Sequence, residues 1–211
     1  MKIREINLLF PEIVFTKILD EVSNDELTKI NDFVKSLEYK TIGKKPIKNH
    51  LSLRSNSLNV FNLPELKKLA DIIKKEFINF KNNTLKYEYN DFIYTTSWVT
   101  KSNPKQESQY HNHANCLYSG IFYINVNKDS GNLILNKMSK SNFLLKKSEN
   151  LDYNSDEIKI NTLEKMVVFF PSHLHHKIGY NNSNITRYSI AFNFMPVGNL
   201  GFEDSQLYLG K

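Results

Sequence analysis

The sequence predicts a mainly β protein in which antiparallel strands form a sandwich or barrel and helices pack on one outer face. Two segments before residue 85 carry apolar residues at helical spacing. The segments after it are short, rich in β-branched and aromatic residues, and separated by turn residues. With 211 residues the chain is long enough for one substantial core. We therefore expect a single domain over 1–211, mostly helical in 1–85 and β-rich in 86–211.

Two helices are expected in the first part of the chain. The first begins in SNDELTKINDFVKSL, where Ser23 and Glu26 have the spacing of a capping box. The second begins in NLPELKKLADIIKKEFINF, where Asn62 is expected to cap the helix and Pro64 suits the first turn. Apolar residues recur on one face of each helix: Leu27, Ile30, Phe33, Val34 and Leu37 in the first, and Leu66, Leu69, Ile73, Phe77 and Phe80 in the second. These stripes are expected to be packing faces.

Strands are expected throughout the second part of the chain. The segments that predict them are YEYNDFIYTTSWVT, LYSGIFYINV, NLILN, EIKIN, KMVVFFP and TRYSIAFNFM. Their length and their regular separation by turn residues are typical of antiparallel sheets that pack face to face or close into a barrel.

The charge of the chain gives little indication of a partner. The net charge of +6 comes from basic residues that are spread singly or in short pairs. A nucleic-acid surface needs them clustered on one face, so a solvated surface is the favoured interpretation and a nucleic-acid partner is left open. Arginine occurs only at Arg4, Arg54 and Arg187, and lysine supplies the other positive charges.

A cytoplasmic location is expected. Cys116 is the single cysteine, so no internal disulfide indicates an oxidising compartment. No apolar run approaches the length of a membrane span, and no membrane association is expected. The first segment, MKIREINLLFPEIVF, has Arg4 and Glu5 where a signal peptide would need its apolar region. The oligomeric state, a homodimer included, stays open.

Histidine is concentrated in two short windows. The chain has six histidines, and five of them fall in 111–113 and 173–176. On a strand, residues two apart point to the same side, so His111 and His113 are expected to present both imidazoles to one face. Two such imidazoles are candidate metal ligands, and a pair of surface or hydrogen-bonded histidines is the alternative.

The second window is followed by a strand with two distinct faces. Arg187, Ser189, Ala191 and Asn193 share one face, and Tyr188, Ile190, Phe192 and Phe194 share the other. The apolar face is expected to pack on core or helices, and the polar face to look into water or a polar cavity. The turn YNNSN predicts a hairpin that places a histidine across from Arg187. The planar fork of this arginine suits a bidentate carboxylate, and a surface salt bridge is the alternative.

Several of these motifs together resemble a known family. A strand-borne HxD or HxE, a distal histidine and an RxS about ten residues later are features of the Fe(II)/2-oxoglutarate-dependent oxygenases. The motifs that carry the resemblance here are SW at 97–98, YHNHAN, SGIFYIN, GNLIL, FFPSHLHH and NNSNITRYSIAFN. They look like those of a group of such oxygenases that is common in phage and marine bacterial genomes. The resemblance covers most of residues 55–195 and implies a double-stranded β-helix, or jelly roll.

The resemblance implies a set of site residues. His111 becomes the first iron ligand and His176 the distal one, and Arg187 and Ser189 hold the distal carboxylate of 2-oxoglutarate. His176 is preferred because it lies eleven residues before Arg187 and matches the pattern PSxLxH. His173 and His175 remain the alternatives, with local hydrogen bonding as their expected role.

Position 113 departs from the usual pattern of the family. Most of these oxygenases have a carboxylate there, which completes the two-histidine-one-carboxylate face that suits non-haem Fe(II). The group that this chain resembles tends to have HxH, so His113 is interpreted as the third ligand. A neutral imidazole leaves the metal site one unit more positive than a carboxylate, and we expect this to strengthen the attraction for dianionic 2-oxoglutarate.

Four further residues are weaker candidates. Tyr123 is a candidate donor to the cofactor, with a tyrosine satisfied by the backbone as the alternative. Asn193 is a candidate residue of the cofactor pocket. Trp98 and Tyr110 are candidates for the substrate entrance, and packing in the core is their alternative.

The function that the resemblance implies is an Fe(II)- and 2-oxoglutarate-dependent dioxygenase that uses O2, with hydroxylation of an unidentified substrate as the usual outcome. One alternative is a cupin-like metal-binding barrel, which also uses HxH. Cupins usually add a glutamate a few residues later and a glycine-rich second motif, and the sequence has neither. A degenerate oxygenase that acts as a binding or sensing module is the other alternative.

Overall fold

The computed structural model describes residues 11–41, 51–89, 91–137, 146–151 and 153–210. Its strands form a major antiparallel sheet in the order β1-β8-β5-β10-β4-β3-β2 and a minor sheet in the order β7-β6-β9. The strands of the major sheet are β1 (Phe15–Ile18), β2 (Tyr39–Thr41), β3 (Leu53–Ser55), β4 (Phe92–Ser102), β5 (Tyr118–Asn125), β8 (Met166–Pro171) and β10 (Arg187–Pro196). The strands of the minor sheet are β6 (Leu133–Asn136), β7 (Glu157–Ile160) and β9 (His175–Ile178). A separate hairpin joins β11 (Gly198–Leu200) to β12 (Leu207–Leu209).

All six segments that predict strands contain strands, namely β4, β5, β6, β7, β8 and β10. Three strands of the major sheet, β1, β2 and β3, were not predicted, and they lie in the part of the chain that was expected to be mostly helical. Each has only three or four residues and lies at or near an edge of the sheet. Strands this short depend on their neighbours rather than on their own sequence pattern.

The predicted hairpin between the histidine strand and the arginine strand is wrong. β9 pairs with β6 in the minor sheet, whereas β10 lies between β5 and β4 in the major sheet. The connection crosses between the sheets and is anchored by buried Asn181, whose Nδ2 donates to the carbonyl oxygens of Ser102 and Ile185 at 3.0 and 2.9 Å. The histidine and the arginine therefore belong to two different sheets.

The first helix, α1 (Asn24–Ser36), begins as expected. Glu26 N donates to Ser23 Oγ at 3.2 Å, and Ser23 N donates to Glu26 Oε2 at 3.1 Å, which completes the capping box. The second helix, α2 (Pro64–Phe80), has Pro64 in its first turn. The predicted cap at Asn62 is wrong, because Asn62 ends a 3₁₀ turn that precedes the helix and Leu63 occupies the capping position without a side-chain bond.

The helices cover the outer face of the major sheet. The apolar stripe of α2 is buried, and Phe77 stacks on Phe194 of β10 with ring centroids 4.2 Å apart. At Gly120 of β5 the packing is so close that an added Cβ would lie 2.3 Å from the ring of Phe192. The apolar face predicted for β10, Tyr188 to Phe194 in alternate positions, is part of this outer core. None of the described helices is long and apolar enough to cross a membrane.

A second core fills the space between the two sheets. It contains Ile121, Tyr123, Val126, Leu133, Leu135, Met166, Val168, Phe170, Leu174 and Ala191. The alternation predicted for β10 is confirmed, since Ala191 belongs to this inner core while Ile190 and Phe192 belong to the outer one. Arg187, Ser189 and Asn193 are buried on the same inner face. The polar face of β10 thus looks into the interior between the sheets.

Candidate metal centre and cofactor pocket

His111 and His176 are joined through their backbones. Each N–H donates to the carbonyl oxygen of the other, at 3.0 and 2.8 Å, which forms an antiparallel bridge between the segment before β5 and strand β9. His113 N donates to the oxygen of Ser172 at 2.9 Å. The expectation that the HxH pair lies on a regular strand is therefore wrong: the pair lies on an extended segment that crosses from β4 to the edge of β9.

Three imidazoles converge at this point. The ring centroids of His111 and His176 are 4.4 Å apart, those of His111 and His113 are 5.2 Å apart, and those of His113 and His176 are 5.0 Å apart. One nitrogen from each ring lies within 4.8 Å of the other two, which is close enough for a shared metal ion. In the described part of the chain, no carboxylate joins this group.

Hydrogen bonds on the far side of each ring decide which nitrogen is free. His111 Nδ1 lies 2.9 Å from the oxygen of Gln109, and His176 Nδ1 lies 2.9 Å from the oxygen of Leu174. His113 Nδ1 lies 2.7 Å from Asn193 Oδ1. Because a carbonyl oxygen only accepts, each Nδ1 must carry the hydrogen, and each Nε2 keeps its lone pair. This is the usual arrangement around metal-binding histidines.

Burial keeps two of these rings neutral. Burial lowers the pKa of His113 to about 4. The hydrogen bond to Asn193 raises this pKa, and the neighbouring His111 lowers it, but burial has the largest effect. Burial also lowers the pKa of His176 to about 3, with repulsion from His111 as the next cause. A neutral imidazole is the form that binds a metal, so these two side chains are ready to do so at neutral pH.

The bond to His113 belongs to a small network that sequence reasoning missed. Asn193 Oδ1 also accepts from Ser119 Oγ at 2.8 Å, and Asn193 Nδ2 donates to Thr96 Oγ1 at 2.8 Å. Ser119 Oγ in turn lies 2.8 Å from Ser172 Oγ. Asn193, a candidate residue of the cofactor pocket, contacts the imidazole of His113 through its amide. The contact depends on the register that sets Asn193 opposite Ser119, which one sequence does not reveal.

Arg187 is fully buried, and none of its three side-chain nitrogens has a hydrogen-bond partner among the described residues. Its guanidinium carbon lies 5.1 Å from the ring centroid of Tyr123, whose hydroxyl is also buried and without a partner there. Burial lowers the pKa of Arg187, and it raises the pKa of Tyr123 to about 12 against the effect of the nearby guanidinium. Tyr123 is paired with Ser189 across the sheet, so both point to the same side as the arginine.

An unpaired cation in the interior is costly, and an anion that binds beside it removes that cost. A planar guanidinium flanked by two hydroxyl groups suits a carboxylate. The donors present therefore fit a divalent metal held by three Nε2 atoms, together with a carboxylate ligand held at Arg187. A bound carboxylate would give hydrogen-bond partners to the four polar atoms of Arg187 and Tyr123 that lack them, and this explains why they are buried.

The other candidates lie around this centre. His173 Nε2 is 2.8 Å from Glu12 Oε1 at the surface, and His175 is the half-buried neighbour of His176 in β9, so neither joins the three converging rings. Trp98 packs edge-on against His113, with ring centroids 5.4 Å apart. Tyr110 donates to Glu157 Oε1 at 2.5 Å. Both aromatic residues line a cavity of about 400 Å³ that also reaches His111 and His113.

The part of the chain that carries the site matches a known family model. Residues 96–193 match the family model described as "Putative 2OG-Fe(II) oxygenase". This segment contains every residue discussed above from Thr96 to Asn193, including the three histidines and Arg187. No curated protein matches in sequence.

Solved structures with the same fold come from several organisms. An oxidoreductase of the 2OG-Fe(II) oxygenase family from Burkholderia pseudomallei has a TM-score of 0.60 at 10% identity, with 86% of this chain and 83% of that chain covered. A prolyl hydroxylase from Trichoplax adhaerens, in complex with a peptide of the hypoxia inducible factor, has a TM-score of 0.60 at 13% identity, with coverage of 88% and 83%. The viral collagen prolyl hydroxylase of Paramecium bursaria Chlorella virus-1 has a TM-score of 0.55 at 14% identity, with coverage of 87% and 96%.

The fold defines the class of protein: it is a double-stranded β-helix, the fold shared with the solved structures above. Over residues 96–193, slightly less than half of the chain, the sequence is similar to the 2OG-Fe(II) oxygenases, a family of oxidoreductases. The cofactors of this family are Fe(II) and 2-oxoglutarate, which it uses with O2 to act on a further substrate. The three imidazoles and the buried arginine are chemically suited to those cofactors.

Proposed function

We propose that the protein is an Fe(II)- and 2-oxoglutarate-dependent dioxygenase that hydroxylates an organic substrate, with His111, His113 and His176 as its metal ligands. The observation that carries the proposal is that all three Nδ1 atoms are already engaged, which leaves three Nε2 lone pairs free for a metal, while the inner face of β10 carries an unpaired buried arginine. A metal-binding barrel without this activity would give no reason to bury Arg187 without a partner.

Arg187 is proposed to bind the distal carboxylate of 2-oxoglutarate through its guanidinium fork. Ser189 and Tyr123 would donate their hydroxyl groups to the same carboxylate, which would give a partner to the Tyr123 hydroxyl and to the Arg187 nitrogens that lack one. Two bonds from a planar donor fix both the position and the rotation of the bound carboxylate. Held in this way, the cofactor would keep its other end free to bind the metal that the three histidines would hold.

When bound, Fe(II) and 2-oxoglutarate supply the activation of O2 together with the oxidative decarboxylation of 2-oxoglutarate to succinate and CO2. The chain supplies orientation and a dry interior. Phe170 covers His176 with ring centroids 4.7 Å apart, and Trp98 covers His113. These apolar covers restrict water around the ligand side chains and hold the rings in one rotamer.

His113 gives the proposed site an excess of positive charge. Three neutral imidazoles contribute no charge, so a dianionic cofactor balances the divalent metal and leaves the charge of Arg187 uncompensated. With a carboxylate at position 113 the same site would be neutral. We propose that this excess strengthens binding of the anionic cofactor.

The test is spectroscopic and then chemical. Fe(II) and 2-oxoglutarate are added without oxygen, and the visible charge-transfer band of the chelate is recorded. Oxygen is then admitted, and succinate is measured. We expect both signals. Protein that has bound iron but gives neither the band nor succinate contradicts the proposal.

We also propose a cytoplasmic location. Its support is that Cys116 is the only cysteine in the sequence and that its thiol is free, with Sγ donating to the oxygen of Ala114 at 3.4 Å. A reduced compartment also suits a protein that must hold iron as Fe(II). Locating a tagged copy by cell fractionation tests this, and recovery outside the cytoplasm contradicts it.

A further inference from the structure

The cavity beside the metal centre is lined in part by residues that have no proposed role in binding Fe(II) or 2-oxoglutarate. Its volume is about 400 Å³, and its lining includes His111 and His113 but neither Arg187 nor Tyr123. The proposed contact of 2-oxoglutarate with Arg187 therefore does not account for its lining. A volume of this size suits a small organic molecule.

One side of this cavity is apolar. Leu51, Leu58, Trp98 and Tyr110 supply it, and Leu58 and Tyr110 are partly exposed at 37% each, so they lie at the mouth. Trp98 lies deeper and contacts His113. An apolar body that enters here would be held next to the metal ligands.

Arg54 is the one charged side chain in the described lining of the cavity. It stands on β3 directly opposite Thr100 of β4, and Thr100 stands opposite Ser189 of β10. Residues opposite each other in neighbouring strands point to the same face of a sheet, so Arg54 faces the interior with Ser189. Its Nε is buried and has no hydrogen-bond partner among the described residues.

The identity of this residue strengthens the argument. Arginine is rare in this chain, which has only three among 28 basic residues. Two of them, Arg54 and Arg187, place unpartnered nitrogens on the inner face of the same sheet. Where the chain needs only a positive charge it uses lysine, and the fork of arginine has a further use in binding an oxyanion.

No acidic side chain offsets this charge in the described lining of the cavity. Two acids that neighbour lining residues are engaged in other contacts: Glu107, next to Ser108 in the chain, pairs with Lys177 at 3.3 Å, and Glu157 accepts from Tyr110. The imidazoles of the metal centre add no negative charge. A cavity with one sign of charge and apolar walls concentrates ligands of the opposite sign.

We propose that this cavity binds the substrate that is oxidised, and that this substrate is a small organic anion whose carboxylate or phosphate group pairs with Arg54. Its apolar body lies along Trp98 and Leu51, within reach of the metal centre. Arg54 is thus a residue that determines substrate specificity. The inference rests on the proposed function in so far as a substrate must sit beside the metal ligands.

The fluorescence of Trp98 tests the proposal directly, because it is the only tryptophan in the sequence and it lines the cavity. The protein is loaded with Zn(II) and 2-oxoglutarate, so that Arg187 is occupied and no turnover occurs. Phenylacetate, phenyl phosphate and the neutral phenylacetamide are then titrated. We expect at least one anion to bind about tenfold more tightly than the amide, and the stronger of the two identifies carboxylate or phosphate as the preferred group.

Substitutions of Arg54 test whether this residue causes the preference for anions over the amide. Arg54→Gln should abolish the preference for the anion, Arg54→Lys should keep part of it, and Lys75→Gln, which removes an exposed positive charge from α2, should keep all of it. Equal binding of anion and amide by the wild-type protein overturns the proposal. So does a preference that survives in Arg54→Gln. Circular dichroism establishes that each variant is folded, and if Arg54→Gln is not, the Arg54→Lys titration and the wild-type comparison decide.

The two proposals fail separately. If no Fe(II)–2-oxoglutarate chelate forms but Trp98 reports an anion preference that depends on Arg54, the oxygenase mechanism is wrong and the anion site stands. If the chelate and succinate form but Trp98 reports no such preference, the substrate class is wrong and the mechanism stands.

Discussion

At the scale of single residues, the proposed metal ligand His113 stands where the oxygenases that this chain resembles usually have a carboxylate. Its Nδ1 hydrogen is directed at Asn193 Oδ1, an acceptor. A carboxylate at position 113 would itself be an acceptor and would meet Asn193 Oδ1 unfavourably unless the amide turned over. Turning it would require the hydroxyl groups of Thr96 and Ser119 to reverse the direction of their hydrogen bonds to the amide. The histidine and the asparagine are thus matched to each other.

The first prediction concerns His113→Asp. The added negative charge and the mismatch with Asn193 should lower the affinity for 2-oxoglutarate about tenfold, a loss of ~1.4 kcal/mol. Titration of the charge-transfer band without oxygen measures it. Asn112→Asp adds the same charge to an exposed neighbouring side chain and should have little effect. Unchanged affinities for both iron and 2-oxoglutarate in His113→Asp would mean that position 113 is not a ligand.

The second prediction concerns Asn193 as a residue that positions His113. Asn193→Ala removes the acceptor for Nδ1, and we expect Fe(II) affinity to fall by roughly 10–100-fold. Asn193→Asp keeps an acceptor oxygen and should restore most of the affinity. Metal titration followed by tryptophan fluorescence measures both variants, since Trp98 contacts His113. Equal loss in both variants would indicate a general packing effect instead of orientation of the ring.

At the scale of secondary structure, the two faces of β10 have different roles: one is structural and the other carries the candidate site. Its outer face packs on α2, and its inner face carries Arg187, Ser189 and Asn193. The neighbouring strand β5 must therefore lie close to Phe192, and Gly120 permits this approach. Close packing behind the site keeps the polar side chains of the inner face at fixed positions.

The third prediction concerns Gly120→Ala. The new methyl group would lie 2.3 Å from the ring of Phe192, and moving that ring disturbs the outer core. We expect the free energy of unfolding to fall by about 1–3 kcal/mol, measured by urea denaturation. Gly210→Ala, where the nearest neighbouring atom is 3.7 Å away, is the matched control. The combination with Phe192→Leu should recover part of the loss, and a loss that is not reduced would point to a cause other than this contact.

The elements also show where sequence patterns stop being informative. The long strands such as β4 and β10 were predicted because alternation or continuous apolar character extends over many residues. The short strands β1, β2 and β3 have no such pattern, and only pairing with a neighbour makes them strands. The cap at Asn62 failed for a similar reason, since the 3₁₀ turn before α2 shifts the start of the helix by one residue.

At the scale of the whole molecule, the helices of the first part pack on the outer face of the sheet that carries the site. Strands β1, β2 and β3 from the same part extend that sheet. We propose that the two parts fold as one domain, because the outer core has residues from both. Arg4 and the segments MKIREINLLF and IGKKPIKNH lie outside the described residues.

The fourth prediction concerns the stability of the whole fold. Arg187 is a buried charge without a partner, so Arg187→Met should raise the unfolding free energy of the cofactor-free protein by about 1–3 kcal/mol. The same variant should lose the stabilisation that 2-oxoglutarate gives the Zn(II)-loaded wild type, which is about 2.7 kcal/mol at 100 times the Kd. Thermal denaturation with and without 2-oxoglutarate measures both effects.

Lys81→Met is the matched control for Arg187→Met. Lys81 is also a buried cation, but its Nζ donates to the oxygen of Tyr89 at 2.9 Å. Its replacement should not stabilise the protein and should leave the effect of 2-oxoglutarate intact. A destabilised Arg187→Met that still responds to 2-oxoglutarate would contradict the assignment of the carboxylate to this arginine.

The sequence by itself determined the fold class, the two amphipathic helices, the longer strands and the short set of side chains from which a site had to be built. These features are local, because the periodicity of neighbouring residues and the positions of rare residue types such as histidine and arginine reveal them. Only the tertiary structure decided that β9 and β10 belong to different sheets, that Asn193 holds His113, and that Arg54 faces a cavity beside it. Those contacts join residues far apart in the chain, and their geometry depends on strand register and sheet packing, which no single segment of sequence encodes.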